Sequence, residues 1–299
     1  MLICDSHCDT LYKLYTKDTK DLDITPEKLK QGGVNLQTCA MYVGTSPKKE
    51  DINSAVHGML EIVEILKQKG LEFADGPSFA REGETKYMLS VEGCEPMEDD
   101  LSSIEKFRSL GVRMAALTWN YDNKLASCHK GEQDRGLTQL GREALKEFNR
   151  LNIAADLSHI NEKGFWDALE NSEKPPMASH SCAKALCKKS RNLSDEQLRA
   201  LFSAGGFVGV NFYPAFLSDT GKAGFSDILR HIMHMYEMGG SGKVGFGSDF
   251  DGIETKPQGL KDARDYPALL DYLKKSGELS QKDVEDIAGK AFISYFERI

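Results

Sequence analysis

Short apolar runs alternate with longer amphipathic segments along the whole chain. Most of the apolar runs lack strict polar alternation, which is typical of parallel strands covered on both faces. The runs predict eight strands, over Leu2–Asp5, Val34–Val43, Tyr87–Glu92, Met114–Thr118, Ile153–Asp156, Met177–Ser179, Phe207–Phe212 and Lys243–Gly247. Such short strands, each separated from the next by a longer segment, are typical of a parallel β/α architecture.

The segments between these runs carry apolar residues three and four positions apart, which predicts helices. Ile52–Lys69 and Leu140–Leu151 show such stripes. Ser194-Asp-Glu-Gln197 has the form of a capping box in front of a helix over Leu198–Ser203. A last helix opens at Ser280 and carries its apolar stripe as far as Phe296.

The alternation predicts one α/β domain over residues 1–299, a (β/α)8 TIM barrel. A doubly wound open sheet is the alternative. The barrel is favoured because residues of chemical interest are spread over nearly the whole chain, and every strand of a barrel ends at one shared mouth. We expect the last helix to seal the barrel, and residues 44–51 and 120–136 to form longer loops over the mouth.

Composition narrows the class of protein. Hydrophobic residues make up 40%, charged residues 28%, and the net charge is -8 without a long basic stripe, so a nucleic-acid partner is not expected. No apolar stretch reaches the roughly 20 residues that span a bilayer, and the N-terminus does not have the form of a secretory signal. The 7 cysteines form no Cys-x-x-Cys pair. We therefore expect reduced thiols and a cytoplasmic protein without membrane contact.

Candidate metal ligands stand at two of the predicted strand ends. His7 and Asp9 are two residues apart after the first strand, so their side chains point to the same side. An imidazole beside a carboxylate suits a borderline-soft divalent metal, although a hydrogen-bonded structural pair is the alternative. Glu92 ends the third strand, and a carboxylate there must be paired, neutralised or metal-bound. Its two oxygens could bridge two metals or accept a salt bridge.

Histidines follow two further strands. His159 and His180 each come just after a small apolar run, where a single histidine is usually a hydrogen-bonded core residue. Two of them in successive β/α units, together with His7 and Glu92, favour a metal site. His129 lies in the predicted mouth loop, and its role is left open. We expect the other three histidines to be structural or solvated: His57, His231 and His234.

Two further residues are candidates for chemistry and binding. Asp249 follows Val244-Gly-Phe-Gly-Ser, whose glycines permit close approach, and it could accept a proton from bound water. Capping of a turn is the alternative, and it is more natural for Asp251 before Gly252. Arg191 belongs either to a solvated basic loop or to a bidentate clamp on a substrate carboxylate.

Eight strings along the chain carry a family resemblance. They are Asp5-Ser-His-Cys-Asp9, Gly32-Gly-Val-Asn35, Val91-Glu-Gly93, Gly136-Leu-Thr-Gln-Leu-Gly141, Asp156-Leu-Ser-His159, Ser179-His-Ser181, Ser190-Arg-Asn-Leu193 and Gly247-Ser-Asp-Phe-Asp-Gly252. With these strings in this order, the chain resembles the membrane (renal) dipeptidases, zinc peptidases with metal-dependent amidohydrolase-type barrels. The resemblance covers essentially the whole chain. The secretion signal and lipid-anchor tail of animal members are absent from the sequence, so the resemblance implies a bacterial-type cytosolic relative.

The resemblance implies two Zn2+ per chain, a small dipeptide substrate, and acceptance of D-configured C-terminal residues. It assigns the site residues as follows: His7 and Asp9 hold one zinc, His159 and His180 hold the other, Glu92 bridges them, Asp249 relays the proton of the attacking water, and Arg191 binds the substrate carboxylate. The preferred dipeptide and the oligomeric state, a homodimer included, are left open.

One position departs from the family pattern. Trp119 stands where the family commonly has a histidine near the scissile carbonyl, and an indole can donate a hydrogen bond but cannot carry a proton. We expect Trp119 to narrow the substrate pocket, unless it only fills space in the core. Two other functions stay open: another amidohydrolase of the deaminase or lactonase type, and a metal-binding protein without hydrolytic activity.

Overall fold

A computed structural model describes residues 1–42 and 48–299. Its strands form a closed parallel barrel in chain order, and the pairing of Asp5 with Phe246 closes the ring. The strands are β1 (Cys4–Asp5), β2 (Leu36–Tyr42), β3 (Lys86–Glu92), β4 (Val112–Ala116), β5 (Ala154–Asp156), β6 (Met177–Ser181), β7 (Phe207–Val210) and β8 (Val244–Phe246). The predicted barrel is confirmed, and the open-sheet alternative is wrong.

Helices cover the outside of the barrel. The α-helices of the described residues are α1 (Thr10–Thr16), α2 (Pro26–Gly32), α3 (Lys49–Gln68), α4 (Ser102–Ser109), α5 (Gln139–Leu151), α6 (Glu162–Asn171), α7 (Asp195–Ser203), α8 (Pro214–Leu217), α9 (Phe225–Met235), α10 (Tyr266–Lys275), α11 (Gln281–Glu285) and α12 (Ala291–Phe296). Short 3-10 turns occupy Pro77–Phe79, Glu95–Met97 and Ala263–Asp265, and π-helical turns occupy Tyr236–Gly240 and Asp286–Lys290. None of the described helices is both long and apolar enough to cross a membrane.

The predicted elements are present, with shifted ends. β4 begins and ends two residues earlier than predicted, and β6 continues to Ser181, which places His180 inside the strand rather than beyond it. The capping box at Ser194 is confirmed, and α7 begins directly after it. Val43 and residues 44–47 of the predicted loop lie outside the described residues, and α3 already begins at Lys49.

The amino ends of the strands are closed by apolar side chains. Phe292 and Tyr295 of α12 are almost fully buried there. They belong to one apolar cluster with strand residues, among them Cys4, Leu36, Met88, Met114, Met177 and Phe207. The expected seal is therefore confirmed, and it lies at the end of the barrel opposite the carboxyl ends of the strands.

All 7 cysteines are buried free thiols. Cys4 belongs to the apolar cluster at the amino ends, whereas Cys8 and Cys182 lie beyond the carboxyl ends of β1 and β6. Burial raises the pKa of the Cys4 thiol to about 12. The Cys4 thiol is thus held in its protonated form at neutral pH.

Candidate active site

The five predicted metal ligands converge at the carboxyl ends of the strands. Glu92, the last residue of β3, lies at the centre of the group. Its Oε1 is 2.9 Å from His159 Nε2, 3.3 Å from His180 Nε2 and 3.7 Å from His7 Nε2. These side chains come from β1, β3, β5 and β6 or from the loops that follow them. Only the closure of the barrel brings them together.

A second group of ligand-type atoms adjoins the first and shares His7 with it. His7 Nε2 is 3.8 Å from Asp9 Oδ1 and 3.9 Å from Asp249 Oδ1. Within each of the sets His7, Glu92, His180 and His7, Asp9, Asp249, the ligand atoms lie within 4.8 Å of one another. The two adjoining sets provide donors on both sides of His7.

Two atoms of this cluster test whether it fits a metal. His7 Nε2 and Asp9 Oδ1 are buried and have no hydrogen-bond partner. Buried polar atoms of proteins are normally paired, because leaving one unpaired costs about 1–3 kcal/mol. Imidazole nitrogen and carboxylate oxygen are also the ligand types that zinc accepts. The residues present therefore fit a divalent cation.

The electrostatics of the cluster favour added positive charge. Burial alone would lower the pKa of His7, but the carboxylates of Glu92, Asp9 and Asp249 raise it to about 10. Burial, and then repulsion from Asp9, raises the pKa of Glu92 well above its ordinary value and that of Asp249 to about 7. Several carboxylates thus share one largely buried site, which a cation would stabilise.

The histidines on the other side of Glu92 are neutral. Burial, and then the charges of Arg191 and His7, lowers the pKa values of His159 and His180. Neutral imidazole is the form that binds metals.

A relay of side chains fixes the tautomer of His180. The Ser179 hydroxyl donates to the Asp156 carboxylate, so its oxygen, 2.7 Å from His180 Nδ1, is left to accept the ring N–H. The proton of His180 is thereby placed on Nδ1, and Nε2 keeps the lone pair that a metal would need.

The backbone is strained where two of the candidate residues stand. His159 and Asp249 have φ values of +69° and +63°, in the left-handed region that non-glycine residues rarely adopt. Such conformations cost about 1–3 kcal/mol and concentrate at functional sites. Asn211 Nδ2 donates to Asp249 Oδ2 at 2.8 Å, which holds that side chain in place.

Gly252 makes room for two carboxylates of the site. A Cβ atom at this position would lie 1.9 Å from Asp9 Oδ2 and 2.7 Å from Asp249 Oδ1. Only glycine permits this approach, and it does so immediately after the left-handed turn that carries Asp249.

The cluster lies at the bottom of a cavity of about 570 Å³ at the barrel mouth. Its walls include Asp9, Glu92, His159 and Asp249, together with Trp119 and Arg191. A volume of this size accommodates a small ligand. Six of the eight predicted site residues therefore line one cavity.

Comparison with known proteins decides the family. The family model described as membrane dipeptidase, peptidase family M19, matches residues 1–299. The chain belongs to the membrane dipeptidase family. It is thus a metal-dependent dipeptidase, a hydrolase that acts on peptide bonds.

Relatives and solved structures agree with this assignment. An uncharacterized dipeptidase of Schizosaccharomyces pombe is 32% identical, and the match covers 88% of this chain and 68% of that relative. A crystal structure of a metallo peptidase from Rhodobacter sphaeroides, liganded with a phosphinate mimic of the dipeptide L-Ala-D-Ala, is 26% identical with a TM-score of 0.92 and covers 100% and 99% of the two chains. The structure of the M19 dipeptidase AC is 28% identical with a TM-score of 0.92 and covers 100% and 98%.

Trp119 lines the cavity of this dipeptidase. The ring is half-buried, 4.7 Å from the Tyr42 ring and 6.1 Å from the His159 ring, measured between centroids. Tyr42 and Tyr12 continue the aromatic wall along the cavity. The structure therefore places Trp119 at the pocket rather than in the core.

Arg191 is buried beside the same cavity. The side chain is 6% exposed, so the alternative of a solvated basic loop is wrong. Nη2 donates to the main-chain oxygen of His180 at 3.2 Å, and Nε is buried without a partner. The guanidinium carbon lies 5.7 Å from the centre of the Phe216 ring. These contacts hold the group at the cavity wall with part of its donor capacity unused.

The remaining candidates have structural environments. His57 is exposed near Glu61, His234 contacts Asp195, and His231 is buried with hydrogen bonds on both ring nitrogens. The Asp251 carboxylate accepts from the Thr10 hydroxyl and from the Asp23 main chain, so it secures loops beside the site.

Sequence reasoning missed three side chains that support the ligands. They are Asp156 and Ser179, which belong to the strings that carry the family resemblance, and Asn120, which follows Trp119. One signal was available for Asp156, because a carboxylate between apolar residues in a buried strand needs a partner just as Glu92 does.

Proposed function

We propose that this chain is a binuclear zinc dipeptidase that hydrolyses small dipeptides, including those with a D-configured C-terminal residue. The observation that carries the proposal is the convergence of five ligand-type side chains, Glu92 at their centre, with two buried polar atoms left unpaired. In this proposal His7 and Asp9 would hold one zinc, His159 and His180 would hold the other, and the Glu92 carboxylate would contribute to both. The phosphinate mimic of L-Ala-D-Ala bound to the Rhodobacter sphaeroides relative supports the stereochemical part.

When bound, the zinc pair supplies a water of lowered pKa and a Lewis acid for the scissile carbonyl. Asp249 is the general base in this proposal. Its Oδ2 accepts from Asn211, which leaves Oδ1, 3.9 Å from His7 Nε2, as the oxygen that takes the proton. The same carboxyl group then releases the proton to the leaving amine.

Arg191 orients the substrate by its C-terminal carboxylate. Its unpaired Nε and its position on the cavity wall support this role. A guanidinium that binds the terminal carboxylate at a fixed distance from the ligand cluster selects dipeptides over longer chains. Trp119 narrows the same cavity and favours small side chains beside the scissile bond.

A screen of L,L- and L,D-dipeptides on the zinc-loaded protein tests the proposal. We expect hydrolysis of free dipeptides, weak hydrolysis of their C-terminal amides, and a zinc content that approaches two per chain by elemental analysis. Arg191→Met should lower kcat/KM for free dipeptides by roughly 10–100-fold. Equal cleavage of free and amidated dipeptides would contradict the role of Arg191 as a carboxylate clamp. A stable zinc content of zero would contradict the proposed metal centre.

The role of Trp119 has its own test. Trp119→His should change the ratio of kcat/KM between small and bulky dipeptides by about tenfold, because one altered pocket contact is worth ~1–3 kcal/mol. A parallel fall for every substrate, with a lower melting temperature, would instead assign the indole to packing.

A further inference from the structure

One amide oxygen at the mouth lies within hydrogen-bond distance of two imidazole rings. Asn120 Oδ1 is 3.0 Å from His159 Nδ1 and 2.8 Å from His129 Nε2. An amide oxygen can only accept, so in this arrangement both ring nitrogens carry the proton. Asn120 directly follows Trp119 in the loop after β4 and is half-buried at the cavity wall.

The proton on Nδ1 decides what the opposite side of the His159 ring can do. With Nδ1 protonated, the neutral ring keeps its lone pair on Nε2, which lies 2.9 Å from Glu92 Oε1. The opposite tautomer would direct an N–H at that position, where a metal ligand must offer a lone pair. Asn120 therefore does for His159 what Ser179 does for His180.

His129 connects Asn120 to two other loops. Its Nδ1 lies 2.7 Å from the Ser190 hydroxyl, which donates because Nε2 already carries the ring proton. Its main-chain N–H donates to the His159 oxygen at 2.7 Å. The side chain is 8% exposed, and Ser190 immediately precedes Arg191. One buried histidine thus joins the loops that follow β4, β5 and β6.

We propose that Asn120 and His129 form a positioning pair that sets the donor nitrogen of His159 and holds the loop carrying Arg191. The inference rests on the proposed function, because it assigns the pair to the zinc centre and the carboxylate clamp described above. Neither residue is assigned contact with the reacting atoms. Asn120 acts through His159, and His129 acts through Asn120 and Ser190.

Asn120→Leu and Asn120→Asp separate this role from simple packing. Leucine has a similar volume without an acceptor, whereas aspartate keeps an oxygen for both N–H groups. We expect Asn120→Leu to weaken the affinity for one of the two zinc ions about 10–100-fold, the usual effect of losing a partner of a ligand histidine. Asn120→Asp should retain affinity close to wild type. The measurement is competition for zinc with a chromophoric chelator, which does not depend on activity.

His129→Phe and Ser190→Ala test separately the contacts of His129 with Asn120 and with Ser190. His129→Phe should weaken zinc binding and also raise KM for a free dipeptide, by roughly three- to tenfold for the lost hydrogen bond. Ser190→Ala should raise KM by a similar factor and leave zinc affinity unchanged. Ser179→Ala is the matched comparison, since it removes the equivalent support from His180 without touching this pair.

The outcomes are distinguishable. A wild-type protein that binds no zinc or cleaves no dipeptide contradicts the proposed function itself. If the wild type does both, wild-type zinc affinity in Asn120→Leu, or equal losses in the leucine and aspartate variants, overturns the positioning role. Should Asn120→Leu fail to fold, His129→Phe and Ser190→Ala decide, and unchanged zinc affinity and KM in both would reject the pair.

Discussion

At the amino ends of the strands, Met88, Met114 and Met177 pack against Phe292 and Tyr295 of α12 in a buried apolar cluster. At the carboxyl ends of the same sheet, the buried side chains are imidazoles and carboxylates, two with unpaired polar atoms. The cluster at the amino ends is built from closely packed apolar side chains. At the mouth, by contrast, buried polar atoms of His7 and Asp9 have no partner.

The contrast separates stability from chemistry along one set of strands. Apolar contacts at the amino ends stabilise the barrel and have no access to the cavity. Two features of the mouth are energetically unfavourable. They are the unpaired buried atoms of His7 and Asp9 and the left-handed backbone at His159 and Asp249. Such costs persist only where the surrounding structure enforces them. Substitutions at the two ends should therefore change different measured quantities.

The largest effect is expected at Asp249. Asp249→Asn keeps the shape of the side chain but removes its basicity, and it should lower kcat by about 10²–10⁴-fold. Zinc content should stay close to wild type, because the change spares the five assigned ligands. Steady-state kinetics with elemental analysis of the same sample checks both statements. Near-normal turnover would move the general base elsewhere.

Phe292→Ala tests the opposite end. Phe292 is 1% exposed in the apolar cluster, so its truncation should lower the free energy of unfolding by about 3–5 kcal/mol. The kcat/KM of the molecules that remain folded should not change. Urea unfolding and kinetics at low temperature measure the two quantities. Ile65→Ala is the control, since that side chain is 49% exposed and its loss should have little effect.

Gly252→Ala, at the mouth, should instead lower activity. The added Cβ would displace the Asp9 and Asp249 carboxylates, and a displacement near 1 Å costs about 10²-fold in rate. We expect that loss in kcat/KM together with weaker zinc binding. Gly224→Ala is the matched control, because its φ is -144° and the nearest atom to an added Cβ is 3.7 Å away. Equal activity in the two variants would show that the mouth tolerates more movement than its contacts indicate.

A further effect, on stability alone, concerns a histidine outside the mouth. Burial lowers the pKa of His231 to about 4, and its Nδ1 accepts the Ala183 N–H. The unfolded chain, with a pKa near 6.5, binds the proton first, so stability is complete above pH 6.5 and falls as the pH drops towards 4. The loss approaches roughly 3 kcal/mol.

Urea unfolding at pH 7.5 and 4.5 measures this dependence. His231→Gln removes the titrating group and should reduce the difference between the two pH values. An identical pH dependence in wild type and variant would assign the acid sensitivity to other groups, such as the carboxylates of the mouth.

The number of strands could be predicted from the sequence, but their ends could not. Apolar runs mark what is buried, and burial continues past the hydrogen-bonded ladder. Leu117 and Thr118 are fully buried although β4 ends at Ala116. At β6 the ladder instead continues through polar residues as far as Ser181, with a shift of register between Ala178 and Ser181.

The candidate ligand types could be read from the sequence, because imidazoles and carboxylates that follow several strands of one barrel meet at its mouth. The side chains that hydrogen-bond to these ligands could not be predicted. Asn120 and His129 acquire their roles from the meeting of loops distant in sequence, which no local pattern encodes. The left-handed backbone at His159 could not be predicted either, because no glycine stands at or next to that position.

The buried cysteines can be used to measure local opening of the protein. Alkylating reagents react with a cysteine that is both accessible and deprotonated. Burial keeps Cys4, at the apolar end, and Cys182, beside the mouth, inaccessible and raises the pKa of both thiols. Each labelling event therefore records a transient opening around one thiol. Alkylation rates measured for the individual cysteine peptides by mass spectrometry would show which end of the barrel opens first. No mutation or attached probe is needed.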